Sequence, residues 1–254
     1  MFPSRLLAAL CATLISLSAF AGATNQPTTR PIRVALYEDA GASPNKIAAL
    51  LENVPTLKVT RVTAEQIRTG ALDDADVLIH PGGSGSKQGA TLAEEGRQRV
   101  RAFVQRGGGY VGICAGAYLA TCDYTWSLHI LDAKVIDKAH WARGNGPVEV
   151  SLSEPGQQLL ASPKQSCSIL YFQGPLLAPA SNPDLPDYQL LGTFESEVHK
   201  DGVPGGVMKG TTAIASSTFG KGRVFCFSPH PEKTVDAARM QDPANAPSGV
   251  GYHP

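Results

Sequence analysis

A surplus of either positive or negative charge is what this sequence lacks. Its 254 residues carry 22 Lys+Arg against 22 Asp+Glu, a formal net charge of zero. With no basic surplus to neutralise phosphates, neither nucleic acid nor an anionic lipid surface is an expected partner. A membrane span is missing too: the apolar stretch at residues 6–20 is about fifteen residues long, where a span needs ~20. Metal-ligand spacing is equally absent. His129, His140, His199 and His253 stand singly, and isolated histidines are more often structural than ligands, so no metal and no cofactor is expected. There are no internal repeats. What remains is 43% hydrophobic content, ordinary for a globular chain whose length fits one large domain or two small ones.

The apolar stretch has another reading. Arg5 supplies a positive n-region, and Ala19-Phe20-Ala21 matches the small-x-small rule of a signal peptidase site. Residues 1–21 are therefore expected to be a signal peptide, cleaved after Ala21 or, in the alternative, after Ala23, with the mature protein periplasmic or secreted. Leu10 directly before Cys11 makes a poor lipoprotein site. Cleavage leaves Cys114, Cys122, Cys167 and Cys226. In an oxidising compartment four cysteines suggest disulfides. If Cys114 stays a free thiol, at most one bridge can form among the other three, which could equally be small buried hydrophobes.

Residues 22–31 are polar without periodicity and read as a linker. Buried strands are expected at 32–37, 57–62 and 76–80. Ser43-Pro44 should cap a helix at 45–52, and Thr63 a short one through Arg68. A long amphipathic helix carries Leu92, Val100, Phe103 and Val104 at helical spacing, and Gly107-Gly108 closes it. The next strand runs into Cys114. Strand alternating with helix from 32 to 121 predicts an α/β fold built on a doubly wound, mostly parallel sheet flanked by helices. Shorter strands are expected at 130–136 and 148–152 around a polar turn at 143–146. A short helix at 157–161 follows, then strands at 168–172, 189–194, 212–216 and 223–227. The sequence after Glu232 decays into Pro, Ala, Asn and Gly, a surface tail.

Functional residues in such sheets gather at the carboxyl ends of strands, and three segments fall there. Gly112-Ile113-Cys114-Ala115-Gly116 reads as a strand turning sharply into a helix and lifting a nucleophile out of the backbone, with glycines to allow the strained turn. His230-Pro231-Glu232 supplies an imidazole and a carboxylate two residues apart, the base and orienting group that a thiol nucleophile requires. Pro81-Gly82-Gly83 is a loop whose backbone can approach a substrate. The backbone N–H of Ala115 and one from Gly82 or Gly83 are the expected oxyanion donors, each worth ~3 kcal/mol in the transition state. Tyr118, Trp141 and Gln173 are candidates for lining a substrate pocket. The set suits acyl transfer through a thioester.

Those three motifs resemble the class I glutamine amidotransferase-like superfamily, whose triad falls on Cys114, His230 and Glu232. Gly108-Gly109-Tyr110-Val111-Gly112-Ile113-Cys114-Ala115-Gly116-Ala117-Tyr118 more narrowly resembles the domain at the N-terminus of eukaryotic biotin–protein ligases, which also occurs as stand-alone exported bacterial proteins. Tyr171-Phe172-Gln173-Gly174-Pro175 and Gly220-Lys221-Gly222-Arg223-Val224 fit the same group. The resemblance spans 32–235 and implies a flavodoxin-like glutamine amidotransferase-like domain there, with a tail at 236–254. Nothing within the sequence resembles a synthetase or a ligase catalytic domain, so neither an ammonia acceptor nor biotin transfer is expected. The leading expectation is a Cys-His-Glu hydrolase or amidotransferase-like enzyme acting on a small-molecule or peptide-derived carboxamide, such as a γ-glutamyl amide. The alternatives are a non-catalytic small-molecule binding module of the same fold and a thiol-based redox or stress protein.

Overall fold

The computed structural model of the chain describes residues 30–233 and the backbone of Tyr252–His253. The expected signal peptide, Cys11, most of the linker and the remainder of the tail lie outside the described residues.

Five strands form the centre of the fold, all but the edge strand β2 largely buried on both faces: β1 (Ile32–Tyr37), β2 (Leu57–Val62), β3 (Val77–His80), β4 (Gly109–Ile113) and, much later in the chain, β12 (Gly222–Phe227). They pair in parallel in the order β2-β1-β3-β4-β12. Alternate residues serve opposite cores. Val34, Leu36, Val77, Ile79, Val111, Ile113, Phe225 and Phe227 pack on one side with Ile47, Ala48 and Leu51 of α1 (Asn45–Leu51). Ala35, Tyr37, Leu78, Tyr110, Val224 and Cys226 pack on the other, beneath α2 (Ala64–Arg68), α3 (Gly85–Gln105) and α4 (Ala115–Ala120). Double-sided burial explains why β1, β3 and β4 read as near-continuous apolar runs, while the edge strand β2 alternates.

The sheet is not mostly parallel, as the sequence suggested; it is mixed. Beyond β12 it continues through β11 (Thr212–Phe219), β9 (Gln189–Phe194), β6 (Asn145–Leu152) and β7 (Ser166–Phe172), every neighbour antiparallel. Two more strands, β5 (Ala133–Ile136) and β8 (Leu176–Pro179), pair with each other, and β8 also pairs with β11, again antiparallel. The cause is connection length. β11 and β12 are joined by Gly220-Lys221 alone, with Gly220 at φ 60°, and so short a link cannot make the crossover that parallel pairing requires. A two-residue strand, β10 (Glu197–Val198), pairs with Tyr252–His253.

The helices follow their local signals with three differences. Thr63 caps α2 in a full capping box, accepting from Gln66 N while Gln66 Oε1 accepts from Thr63 N (2.9 Å). Ser43 does not cap α1; the N-cap residue is Pro44, and Ser43 N donates to Gly82 O (2.9 Å), tying this loop to the Pro-Gly-Gly segment. The helix expected at 157–161 begins earlier, as α5 (Glu154–Leu159), because Ser153 Oγ accepts from Gly156 N. Finally α3 is broken at Ala93 (φ 55°, ψ −178°). Carbonyls released by the break are taken by arginines: Arg68 Nη1 donates to Thr91 O and Leu92 O (2.9 and 3.1 Å), and Arg97 Nη1 to Gly89 O (2.8 Å).

At the amino end of the parallel sheet, Asp76 accepts from Arg33 N (2.8 Å), from both Arg30 η-nitrogens and from the Arg33 guanidinium. Burial alone would raise this carboxyl, but the arginines hold it well below the usual carboxylate range. This end of the sheet is thereby fixed by charge. The chemistry-bearing residues all lie at the other.

Candidate active site

The elbow is made by steric necessity. Cys114 follows β4 directly and takes φ 52°, ψ −100°, a conformation costing a non-glycine residue about 1–3 kcal/mol. Its neighbours must give way. A Cβ on Gly112 would lie 2.5 Å from Gly116 O, and one on Gly116 would overlap the carbonyl oxygen of His80. Only glycine at both positions lets α4 leave so closely over β3 and β4.

Behind the elbow stands a buried brace that the sequence reading missed. His80 is stacked between Tyr37 and Tyr110, with ring centroids 4.5 and 5.6 Å away. Its Nδ1 donates to Gln88 Oε1 (3.0 Å), and Gln88 Nε2 donates to Gly41 O and Pro81 O (3.1 and 3.0 Å). Burial lowers His80 to about 4 against the opposing Gln88 hydrogen bond, so it is a neutral strut. Tyr110 Oη donates to Gly116 O (2.8 Å). Elbow and Pro-Gly-Gly loop are thus tied to one buried cluster.

His230 reaches the same edge past the end of β12. Its N–H donates to Leu170 O (2.7 Å), and its Nδ1 donates to Glu232 Oε1 (2.6 Å), with both side chains almost wholly buried. The ring sits edge-on to Phe172, with centroids 6.4 Å apart. Burial would lower the imidazole, but the charge and hydrogen bonding of Cys114 and Glu232 outweigh it and raise His230 to about 9. Cys114 Sγ nevertheless donates to Phe172 O (3.4 Å), and His230 Nε2 has no hydrogen-bond partner of good geometry. Thiol and imidazole are close enough to interact electrically without a well-aligned hydrogen bond, the looseness common to unliganded sites. Gly82 is where it must be: a Cβ there would stand 2.5 Å from His230 Cε1. Gly83, at φ 133°, would push a Cβ into Gly41.

A cavity of about 510 Å³ joins these groups; Cys114, His230, Glu232, Gly82 and Gly83 all line it, as do the three pocket candidates Tyr118, Trp141 and Gln173. Ala115 does not line it and is buried, although it adjoins Cys114. Its N–H is the first amide of α4 and has no partner within that helix. The sequence reading missed Tyr124, Trp126, Phe172, Lys138 and Lys233, which line the cavity too. Phe172 was within reach, next to Gln173 in a segment already singled out. Tyr124 and Trp126 sit in a loop without periodicity, where no pattern marks them.

The other cysteines are of a different kind. All four described cysteines are unbridged, so no disulfide forms among Cys122, Cys167 and Cys226. Burial pushes the Cys167 thiol up to about 11 and raises Cys122 and Cys226 as well, leaving them protonated at neutral pH. No group of metal-ligating side chains occurs among the described residues, and no helix among them is long and apolar enough to cross a membrane.

Comparison with known proteins fits this geometry. Residues 32–142 match the family described as biotin-protein ligase, N terminal. No curated protein matches the chain. Among solved structures, PurLQS of Thermotoga maritima is 16% identical with a TM-score of 0.58, over 80% of this chain and 89% of that one. A protein of Thermoplasma acidophilum assigned to GMP synthase is 13% identical with a TM-score of 0.55, over 83% and 92%. A protein assigned as ThuA-like from Bacteroides uniformis is 14% identical with a TM-score of 0.53, over 89% and 94%. The chain shares the α/β fold of these solved structures, and its residues 32–142 match the biotin-protein ligase N-terminal family.

Proposed function

We propose that this glutamine amidotransferase-like chain is an exported cysteine-nucleophile amide hydrolase or amidotransferase, acting on a carboxamide through a thioester. The observation that carries the reading is the convergence of a strained, buried Cys114, a His230 hydrogen-bonded to Glu232 at 2.6 Å, and the glycine loop 82–83 on one cavity. In this reading a single domain covers 32–235, its parallel half a doubly wound, flavodoxin-like core.

The steps follow from the groups. Cys114 Sγ, as thiolate, attacks the carboxamide carbon, and the carbonyl oxygen takes the negative charge, facing the N–H of Ala115 and one from Gly82 or Gly83. Collapse breaks the C–N bond, and the leaving nitrogen takes a proton from His230 Nε2. Water, deprotonated by the same nitrogen, then cleaves the thioester and releases the acid. Glu232 keeps Nδ1 protonated throughout, which leaves Nε2 as the working nitrogen. A substrate entering the cavity would draw Sγ away from Phe172 O, and this is the movement that the unliganded geometry leaves to be made.

The same Phe172 contact favours a second reading, a binding module in which the thiol is only a buried donor. Alkylation separates the two. With His230 raised to about 9, the imidazole carries its proton at pH 7, and a cation beside sulfur promotes thiolate chemistry. Iodoacetamide should therefore modify Cys114 at pH 7, and His230→Ala should slow that reaction roughly tenfold or more. A Cys114 that stays unmodified in the folded, reduced wild type would sink the nucleophile.

Export belongs to the same proposal and has its own test. Protein recovered from the envelope or medium should begin at Gly22 or Thr24 by N-terminal sequencing. Full-length chain found solely in the cytoplasm would remove the extracytoplasmic assignment.

A further inference from the structure

We infer that the Cys114 cavity takes a carboxamide joined to a flat-faced ring, in preference to a free amino acid amide such as glutamine. The inference deepens the proposed acyl-transfer reading and rests on it for the word carboxamide; the ring preference rests on the walls alone.

Those walls concentrate what the rest of the chain has little of. The sequence holds two tryptophans, and both line this cavity. Large hydrophobic side chains are left exposed at three described positions, and two of them, Trp141 (57%) and Phe172 (41%), stand here. Exposed aromatic surface in the cavity that also holds Cys114 marks a place where something apolar is meant to lie. Three more aromatic side chains of the lining pack on one another. Tyr124 and Trp126 stack at 4.5 Å and 15°, and Tyr118 leans on Tyr124 at 6.3 Å.

Trp126 is held where it is by a designed absence of side chains. A Cβ on Gly85 would approach its ring at 3.1 Å, and one on Gly89 would overlap its carbonyl oxygen. The first turns of α3, which also begin at the Pro-Gly-Gly loop, are thus built to let this indole sit close. Size agrees: about 510 Å³ falls within the ~300–1,000 Å³ of pockets that enclose multi-ring ligands. An amino acid amide would leave the aromatic walls facing water.

A flat face on such walls could come from an aromatic ring or from a sugar, since both stack on indole and phenyl groups. Titration calorimetry on Cys114→Ala, which binds without turning over, tests the inference with three probes: glutamine, N-benzyloxycarbonyl-glutamine and N-acetylmuramyl-alanyl-isoglutamine. At least one ring-bearing probe should bind roughly tenfold or more tightly than glutamine, and which one does so identifies the ring as aromatic or sugar. That ratio should fall toward one in Trp141→Ala and Phe172→Ala added to the same background. Both side chains are about half exposed, so truncating them leaves the core intact. Equal affinity for all three probes, no binding of any, or a ratio that survives both truncations would overturn the inference. Ring-selective binding in a protein that never cleaves the probe would leave it standing and remove the enzyme reading. Cleavage of glutamine with no ring preference would do the reverse.

Discussion

Cys114→Ala and His230→Ala should each reduce amide turnover by a factor on the order of 10⁴ or more, and the double variant should be hardly worse than either one. The reason lies in how the pair is arranged. His230 Nδ1 is committed to Glu232 at 2.6 Å, and in the proposed mechanism the unpartnered Nε2 exchanges protons with the group bound at Cys114. Without the sulfur the imidazole has nothing to activate, and without the imidazole the leaving nitrogen has no proton. Losses from groups that act as one unit do not add. Glu232→Gln should be milder, because an amide oxygen can still accept from Nδ1 and keep the tautomer, while the buried imidazolium loses its counter-charge. Steady-state rates on one amide substrate across wild type and the four variants decide it. If the two single losses multiply in the double variant, the residues work independently and the unit described here does not exist. If a ligand binds equally to wild type and all variants and is never converted, the fold serves as a receptor.

How much of this was legible in the sequence depends on how local each cause is. The parallel half was readable because β1, β3 and β4 are buried on both faces, so Ile32–Tyr37 and Val77–His80 stand out as apolar runs between helical patterns. The elbow was readable because one of its glycines answers a clash within four residues, Gly112 against Gly116, although Gly116 answers the distant His80 carbonyl. His230 and Glu232 were readable because they lie two residues apart and bond to each other directly. The antiparallel half was only partly readable. β8 and β10 went unrecognised because Leu176–Pro179 and Glu197–Val198 are too short for a period to register. The break at Ala93 was hidden for a different reason: Leu92 and Val100 remain on one buried face across it, so the helical pattern persists where the helix does not. The cavity's aromatic walls were readable in part: Tyr118 and Trp141 were expected there and line it, whereas Tyr124 and Trp126 were not foreseen. Tyr124 and Trp126 line the same cavity as Phe172 and Trp141, residues distant in sequence, with nothing in the intervening sequence to announce it.

Arg143 is the sharpest case of a residue misjudged from sequence, and it carries the second large effect. As part of Arg143-Gly144-Asn145-Gly146 it reads only as a polar turn, yet its side chain is 1% exposed. Its Nη2 donates to Asp137 Oδ2, while Asp137 Oδ1 accepts from His140 Nδ1 (2.5 Å). Asp137 itself is in the left-handed region at φ 54° and starts the short turn Lys138–His140. That turn and Trp141 lie between the two halves of the ion pair, so the pair fixes the part of the cavity wall that carries Lys138 and Trp141. Burial would raise the Asp137 carboxyl, but His140 and Arg143 hold it below its ordinary value. Its contribution is therefore present above pH ~4, the ordinary carboxylate range, and fades as pH falls through the lowered one. Arg143→Ala should cost about 3–5 kcal/mol, since it strands a largely buried carboxylate, and should lower Tm by roughly 10 °C. Arg143→Met combined with Asp137→Asn should recover much of that loss, because it removes both charges together. Thermal unfolding at pH 7 and at pH 4 is the measurement. The gap between Arg143→Ala and wild type should narrow at the lower pH, where a stranded carboxylate can take up a proton. A variant that melts within about 2 °C of wild type at pH 7 would mean that water reaches Asp137 once the guanidinium is gone, and that Trp141 is held in place by something other than this pair.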